Sequence, residues 1–296
     1  MKTVKVFLIA LCAACLYEAC GSEEAPEAFK GEEPVLGDHS LPQGNHDYDQ
    51  TIMDWNRRYN ILPLYRFDEK DWYWGVTQDL RIYYDEYNDR DHGGYLVEPA
   101  DEAYVGQQLQ LIADCVWHYF PDSLLREVLP MKLLLASDIQ HDPASLKGRV
   151  PESQYTHENT LAGYDYVAFS GGTAHITEMT QAERQQYKTD GIMLVFSYGI
   201  DNGKIPVPES FAAISDYTAE YSSATAAYMA GLLTQYGSAP AYDLKQYIRL
   251  IVTTSQQRIT TQYLNLYPLI KQKYDIIEDY FKEEYGIDLQ SIGDGN

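Results

Sequence analysis

The chain has 296 residues, 45% of them apolar and 22% charged. That is ample for a large core and excludes disordered, collagen-like and low-complexity readings. Lys and Arg number 22 against 44 Asp and Glu, a formal charge of −22. No basic stripe suited to a phosphate backbone runs through the sequence, so no nucleic-acid partner is expected. Tyr is abundant at 27 residues; it suits wet contact surfaces as well as ordinary cores.

Lys2 and Lys5 precede an apolar run from Val6 to Leu16. This is the length of a secretory h-region and too short to span a bilayer. Ala19-Cys20-Gly21 closes it, with Glu23 and Glu24 just beyond. A small residue before a Cys at this place resembles a bacterial lipobox, and the acidic residues after it resemble surface-exported lipoproteins of the Bacteroidetes type. Residues 1–19 are therefore expected to be a lipoprotein signal peptide, with Cys20 the lipidated residue. Cys15 is the competing site. Cleavage before Cys20 leaves Cys115 as the only other Cys, so no internal disulfide is expected. Residues 20–46 are rich in Glu, Pro and Gly and poor in apolar groups, which predicts a flexible tether.

From Asp47 the pattern becomes globular. Residues 48–58 suit a short helix and 61–67 a strand. Residues 101–119 give the clearest helical spacing, through Val105, Leu109, Ile112, Val116 and Tyr119. Met131 to Ala136 reads as a buried strand. The runs GYDYVAFS and TAHITEM, joined at Gly171-Gly172, predict a hairpin. Thr180, with Glu183 three residues on, predicts a capping box opening a helix that becomes apolar all round from Gly191 to Phe196. Helices are expected at about 222–235, 241–257 and 262–284, the last with Leu266, Ile270, Tyr274, Ile277 and Phe281 on one face. The order predicts an α+β domain over 47–296, with a small sheet in the N-terminal half and a mostly helical C-terminal half.

Standard catalytic motifs are missing. The stretch from Gly199 to Lys204 is one residue short of a P-loop. Asp85, Asp89, Asp91 and Gly93 lack the ligand order of a calcium loop. His157-Glu158 begins like a zinc-hydrolase motif, but Leu161 stands where the second His belongs. His175 and Glu178 fall on an expected strand, where positions three apart face opposite ways.

Residues 48–67 (DYDQTIMDWNRRYNILPLYRF) and YLVEPADEAYVGQQLQLIADCVW resemble the opening of the Bacteroidetes zinc-binding metallopeptidase family, in its substrate import-associated zinc metallohydrolase lipoprotein branch. PVPESFAAIS, GLLTQYGSAPAYDLKQYIRLIVT and KQKYDIIEDYFKEEYGIDL resemble its end. The resemblance implies a zincin-like fold, and a helix reading roughly His-His-Glu-Phe-Ala-His just before the Pro-Glu-Phe stretch. Here that place holds Gly191 for the first ligand, Ile192 for the base and Val195 for the second ligand. In the family's acidic helix Asp243 survives, while Gln246 stands for a glutamate. These degenerate positions carry too few metal-binding atoms for a zinc site.

The leading expectation is thus a non-catalytic surface lipoprotein without a cofactor. It is anchored in the outer membrane, faces the exterior and binds an extracellular peptide or glycan, with Tyr166, Phe169 and Tyr198 as candidate groove walls. A TonB-dependent importer and its surface binding lipoprotein are the expected partners. The alternative is an active zinc hydrolase rebuilt on His157, Glu158, His175 and Glu178.

Overall fold

The computed structural model describes residues 39–73, 83–85, 90–142, 152–235 and 239–295. The expected signal peptide with Cys15, the expected lipidation site Cys20 and most of the expected tether lie outside the described residues, as do Asp89 and the side chains of Asp85 and Asp91. Contacts separate residues 1–40 from Leu41–Asn296, and the architecture below is that of the second unit.

Its backbone is α1 (Asp49–Tyr59), β1 (Leu62–Leu64), the ribbon β2 (Tyr83–Asp85) and β3 (Arg90–His92), β4 (Gly94–Pro99), α2 (Val105–Cys115) and α3 (Asp122–Val128). There follow β5 (Lys132–Asp142), β6 (Thr156–His157), β7 (Thr160–Ala162), β8 (Tyr166–Phe169), α4 (Gln181–Asp201), α5 (Glu209–Ala212), α6 (Ala224–Met229), α7 (Pro240–Thr253), α8 (Gln256–Ile259), α9 (Pro268–Tyr285) and α10 (Leu289–Gly293). Strands in the first part and helices in the second make the unit α+β, the class expected from the sequence. No helix among the described residues is long and apolar enough to cross a membrane.

The sheet is organised by β5. Its first half lies between β1 and β8, parallel to both, so Leu133, Leu134, Leu135 and Ala136 are all buried and read as one apolar run. Its second half pairs antiparallel with β4 and β6, and only Ile139 and Asp142 of its last five residues are buried. Alternation divides the side chains between two faces. Leu133, Leu135, Val167 and Phe169 join the large core under the helices, while Leu134, Ala136, Tyr166 and Ala168 join a smaller cluster with Leu64, Trp72, Val97 and Leu161.

The hairpin expected at Gly171-Gly172 does not form there. β8 pairs antiparallel with the preceding strand β7, turning through Gly163 and Tyr164, where a Cβ on Gly163 would sit 1.9 Å from the Tyr166 ring. After β8 the chain leaves the sheet at Gly171, whose φ is +96°. The segment expected as the second strand is instead a 3-10 turn, Ala174–Thr177. Only Ile176 in it is buried, too little apolar surface for a strand. Gln108 of α2 closes the sheet end: it is fully buried and its Nε2 lies 2.9–3.0 Å from the carbonyls of Ala136, Phe169 and Ser170.

Thr180 opens α4 with the capping box the sequence predicts: its Oγ1 accepts from the Glu183 N–H, and Glu183 accepts from the Thr180 N–H at 2.7 Å. Gly191 allows a close approach, because a Cβ there would lie 2.4 Å from Val116 Cγ2 and 3.1 Å from the Phe169 ring. In α9, Ile270, Tyr274, Ile277 and Phe281 are buried as expected. Leu266 is 57% exposed and precedes the helix, since Pro268 occupies the first turn.

The packed unit starts earlier than the expected boundary at residue 47. The Gln43 side chain accepts from the Tyr65 and Arg66 N–H groups and donates to the Arg66 carbonyl. His46 stacks on Tyr48 and lies 2.9 Å from Glu102. Residues 41–46, expected in the tether, therefore belong to the domain.

Candidate ligand cleft

A cleft of about 190 Å³ lies between the edge strand and α4, lined by Glu158, Asn159, Thr160, Asp190, Met193, Leu194, Ser197 and Arg249. Asp190, Met193 or Leu194, and Ser197 are spaced three to four apart, so one stripe of α4 forms the floor. Met193 and Leu194 are 4% and 8% exposed, so the surface the stripe presents is mainly that of Asp190 and Ser197. α7 packs against α4 and brings in Arg249.

The other wall is a free strand edge. Ser170 N–H donates to the Asn159 carbonyl, and Gly163 N–H to the Tyr166 carbonyl, both at 2.9 Å. In the antiparallel register these are hydrogen-bonded pairs, and the alternation makes Leu161 and Ala168 another. The N–H and C=O groups of Thr160 and Ala162 therefore point away from β8, and no further strand pairs with β7 among the described residues. Such an edge can accept an extended peptide.

The cleft's carboxylates accept hydrogen bonds from neutral donors. Asp190 accepts from Asn159 Nδ2 at 2.9 Å and from Gln186 Nε2 at 2.8 Å, one bond on each oxygen. Glu158 accepts from Thr156 Oγ1 at 2.7 Å.

The positions aligned with the family's catalytic helix lie elsewhere. Gly191, Ile192 and Val195 are buried in the main core and line no part of the cleft. The cleft-facing register begins one residue earlier, at Asp190, with Leu194 one turn on. Asp243 is fully buried and faces α9, where Lys273 Nζ lies 2.6 Å from its Oδ2. Tyr217 donates to the same oxygen at 3.0 Å, and Phe211, Tyr217 and Tyr247 surround the ammonium. Burial pushes the Asp243 carboxyl up and the Lys273 ammonium down, against their mutual attraction. Gln246 is half-buried on α7.

These residues do not fit a zinc ion. Gly, Ile, Val and Leu offer no donor atom, Asp190 is held by two amides, and Asp243 is held by an ammonium. The alternative set does not assemble either. His157 Nδ1 lies 2.9 Å from Asp138 Oδ1, and His175 Nε2 lies 2.9 Å from Glu183 Oε1. Glu158 borders the cleft, and Glu178 ends the 3-10 turn. Among the described residues no three His, Cys, Asp or Glu side chains gather in a way that could hold a metal.

Of the expected groove walls, Tyr166 and Phe169 are fully buried on opposite faces of the sheet and contribute to core packing instead. Tyr198 is half-buried and donates to the Tyr164 carbonyl at 2.9 Å. That carbonyl belongs to the β7–β8 turn, where Tyr164 is 87% exposed. Cys115 is free and half-buried, with burial raising its thiol pKa, unlike an activated nucleophile.

Sequence reasoning missed Thr160, Ser197 and Arg249. Ser197, breaking the apolar run that begins at Gly191, seven residues after Asp190, was the available signal.

No protein-family model matches the chain, and no curated protein does. Among solved structures it is similar to a "putative zinc-binding metallo-peptidase from Bacteroides caccae", with 14% sequence identity, a TM-score of 0.47, and coverage of 85% of this chain and 92% of the other. A likeness of this degree leaves the chemistry to be read from the residues.

Proposed function

We propose that the protein is a non-catalytic surface lipoprotein on a zincin-like scaffold that binds an extended extracellular peptide between β7 and α4. The observation that carries this reading is the cleft itself: a free strand edge beside a helix, with no metal donor set among the described residues. The edge supplies backbone hydrogen bonds independent of ligand sequence. The choice of peptide over glycan rests on the outward N–H and C=O groups of Thr160 and Ala162. Lipid anchoring through Cys20 holds the domain at the outer membrane facing the exterior, where it serves a TonB-dependent importer and its surface binding lipoprotein.

Two measurements test this reading. With zinc supplied, the protein leaves denatured casein intact while retaining peptides selected from a random display library. Thr160→Pro removes an N–H that β8 does not use, so it abolishes retention while the circular dichroism melt stays cooperative. Zinc-dependent hydrolysis, or full retention by Thr160→Pro, contradicts the proposal.

A further inference from the structure

Arg249 projects from α7 into the cleft, and its exposed guanidinium makes no hydrogen bond or ion pair with any described residue. This does not follow from a shortage of acids. The chain has twice as many acidic as basic residues, and Glu158 and Asp190 line the same cleft. Yet both Asp190 oxygens are taken by the Asn159 and Gln186 amides, and Glu158 receives the Thr156 hydroxyl. These neutral donors leave both carboxylates anionic, and neither forms an ion pair with the guanidinium. By contrast, Arg58 forks onto Asp122 and Arg66 onto Glu102.

Resting on the peptide-binding reading, we propose that Arg249 makes the cleft selective for peptides carrying an Asp or Glu side chain beside the segment paired with β7. A guanidinium presents a planar fork of N–H donors that matches a carboxylate bidentately. The net charge of −22, with Glu158 and Asp190 in the cleft, opposes anionic ligands at long range, so discrimination falls to this one short-range contact.

The test is selection of random decapeptides, displayed on phage, against residues 21–296 and their variants, with deep sequencing of the retained pool. On the wild-type protein Asp and Glu are enriched at least tenfold over Asn and Gln at one position. Arg249→Met keeps the apolar stem and the melting temperature, still retains peptides, and loses that enrichment; Arg249→Lys restores part of it. Equal enrichment by wild type and Arg249→Met overturns the selectivity while leaving peptide binding intact. Failure of every variant to retain any peptide overturns the peptide-binding reading and this inference with it. Binding of an oligogalacturonide that requires Arg249 but survives Thr160→Pro assigns the guanidinium to acidic glycans and refutes a peptide ligand.

Discussion

Replacing Lys273 by Met exposes how the C-terminal half is held together. Asp243 and Lys273 are both wholly buried and 2.6 Å apart, and Asp243 Oδ1 has no hydrogen-bond partner. Lys273→Met leaves the carboxylate with Tyr217 as its one remaining donor. Breaking such a pair by removing one partner costs about 3–5 kcal/mol. For a domain of this size that lowers the melting temperature by roughly 6–20 °C. Protonation of Asp243 limits the loss at low pH. In the variant its folded pKa, already raised by burial and now without Lys273, stands well above the unfolded value. The native state then holds a proton that the unfolded state releases, so stability falls as pH rises from the unfolded pKa through the folded one. Urea unfolding followed by circular dichroism at pH 5 and pH 8 should therefore show the larger deficit at pH 8. The double variant Asp243→Leu/Lys273→Met should recover most of the lost stability, because apolar replacement of a buried pair is close to neutral. A deficit under about 1 kcal/mol for Lys273→Met, or a double variant no better than the single one, would show that the pair is solvated and refute this reasoning.

Gly191→Ala should cost about 1–3 kcal/mol in urea unfolding, since the new Cβ meets Val116 at 2.4 Å, whereas Ser197→Ala on the cleft face should cost about 0.5 kcal/mol or less. Burial pushes the Glu278 carboxyl up to about 7. Its stabilising effect is complete below the unfolded value near 4.5 and is lost as pH rises through about 7. Reduced for its partial exposure, this is about 1 kcal/mol, and Glu278→Gln should flatten that part of the stability–pH curve. Cys20→Ala should move the protein from the membrane to the soluble fraction; retention in the membrane, with acylation lost only in Cys15→Ala, would transfer the anchor to Cys15. Limited proteolysis should trim the chain up to about residue 40 and stop there, because Gln43 and His46 are bound to the domain.

Several elements were legible in the sequence: α1 in outline, α2 and α9 by spacing, α4 by its capping box, and the first half of β5 by its run of leucines. The β7–β8 hairpin was not. Thr160–Ala162 is three residues long with one buried side chain, while the polar TAHITEM run alternates like a strand and has no partner to make it one. The one-residue phase of α4 was equally hidden, because Gly191 to Phe196 is apolar on every side. Packing of Gly191 against Val116 and Phe169 sets that phase, and it turns Asp190 and Ser197 to the cleft. Arg249 carried no sequence signal, since its place at the cleft depends on the packing of α7 against α4. The resemblance placed Asp243 in a metal-binding helix; its ammonium partner lies 30 residues further along the chain.

The absence of a zinc donor set is tested most directly by the metal content of residues 21–296 purified without chelator, measured by inductively coupled plasma mass spectrometry. The account predicts zinc far below one per chain and a melting temperature unchanged by excess EDTA. One zinc per chain, with a melting temperature that falls on chelation and a zinc content that falls in His157→Ala or His175→Ala, would contradict it.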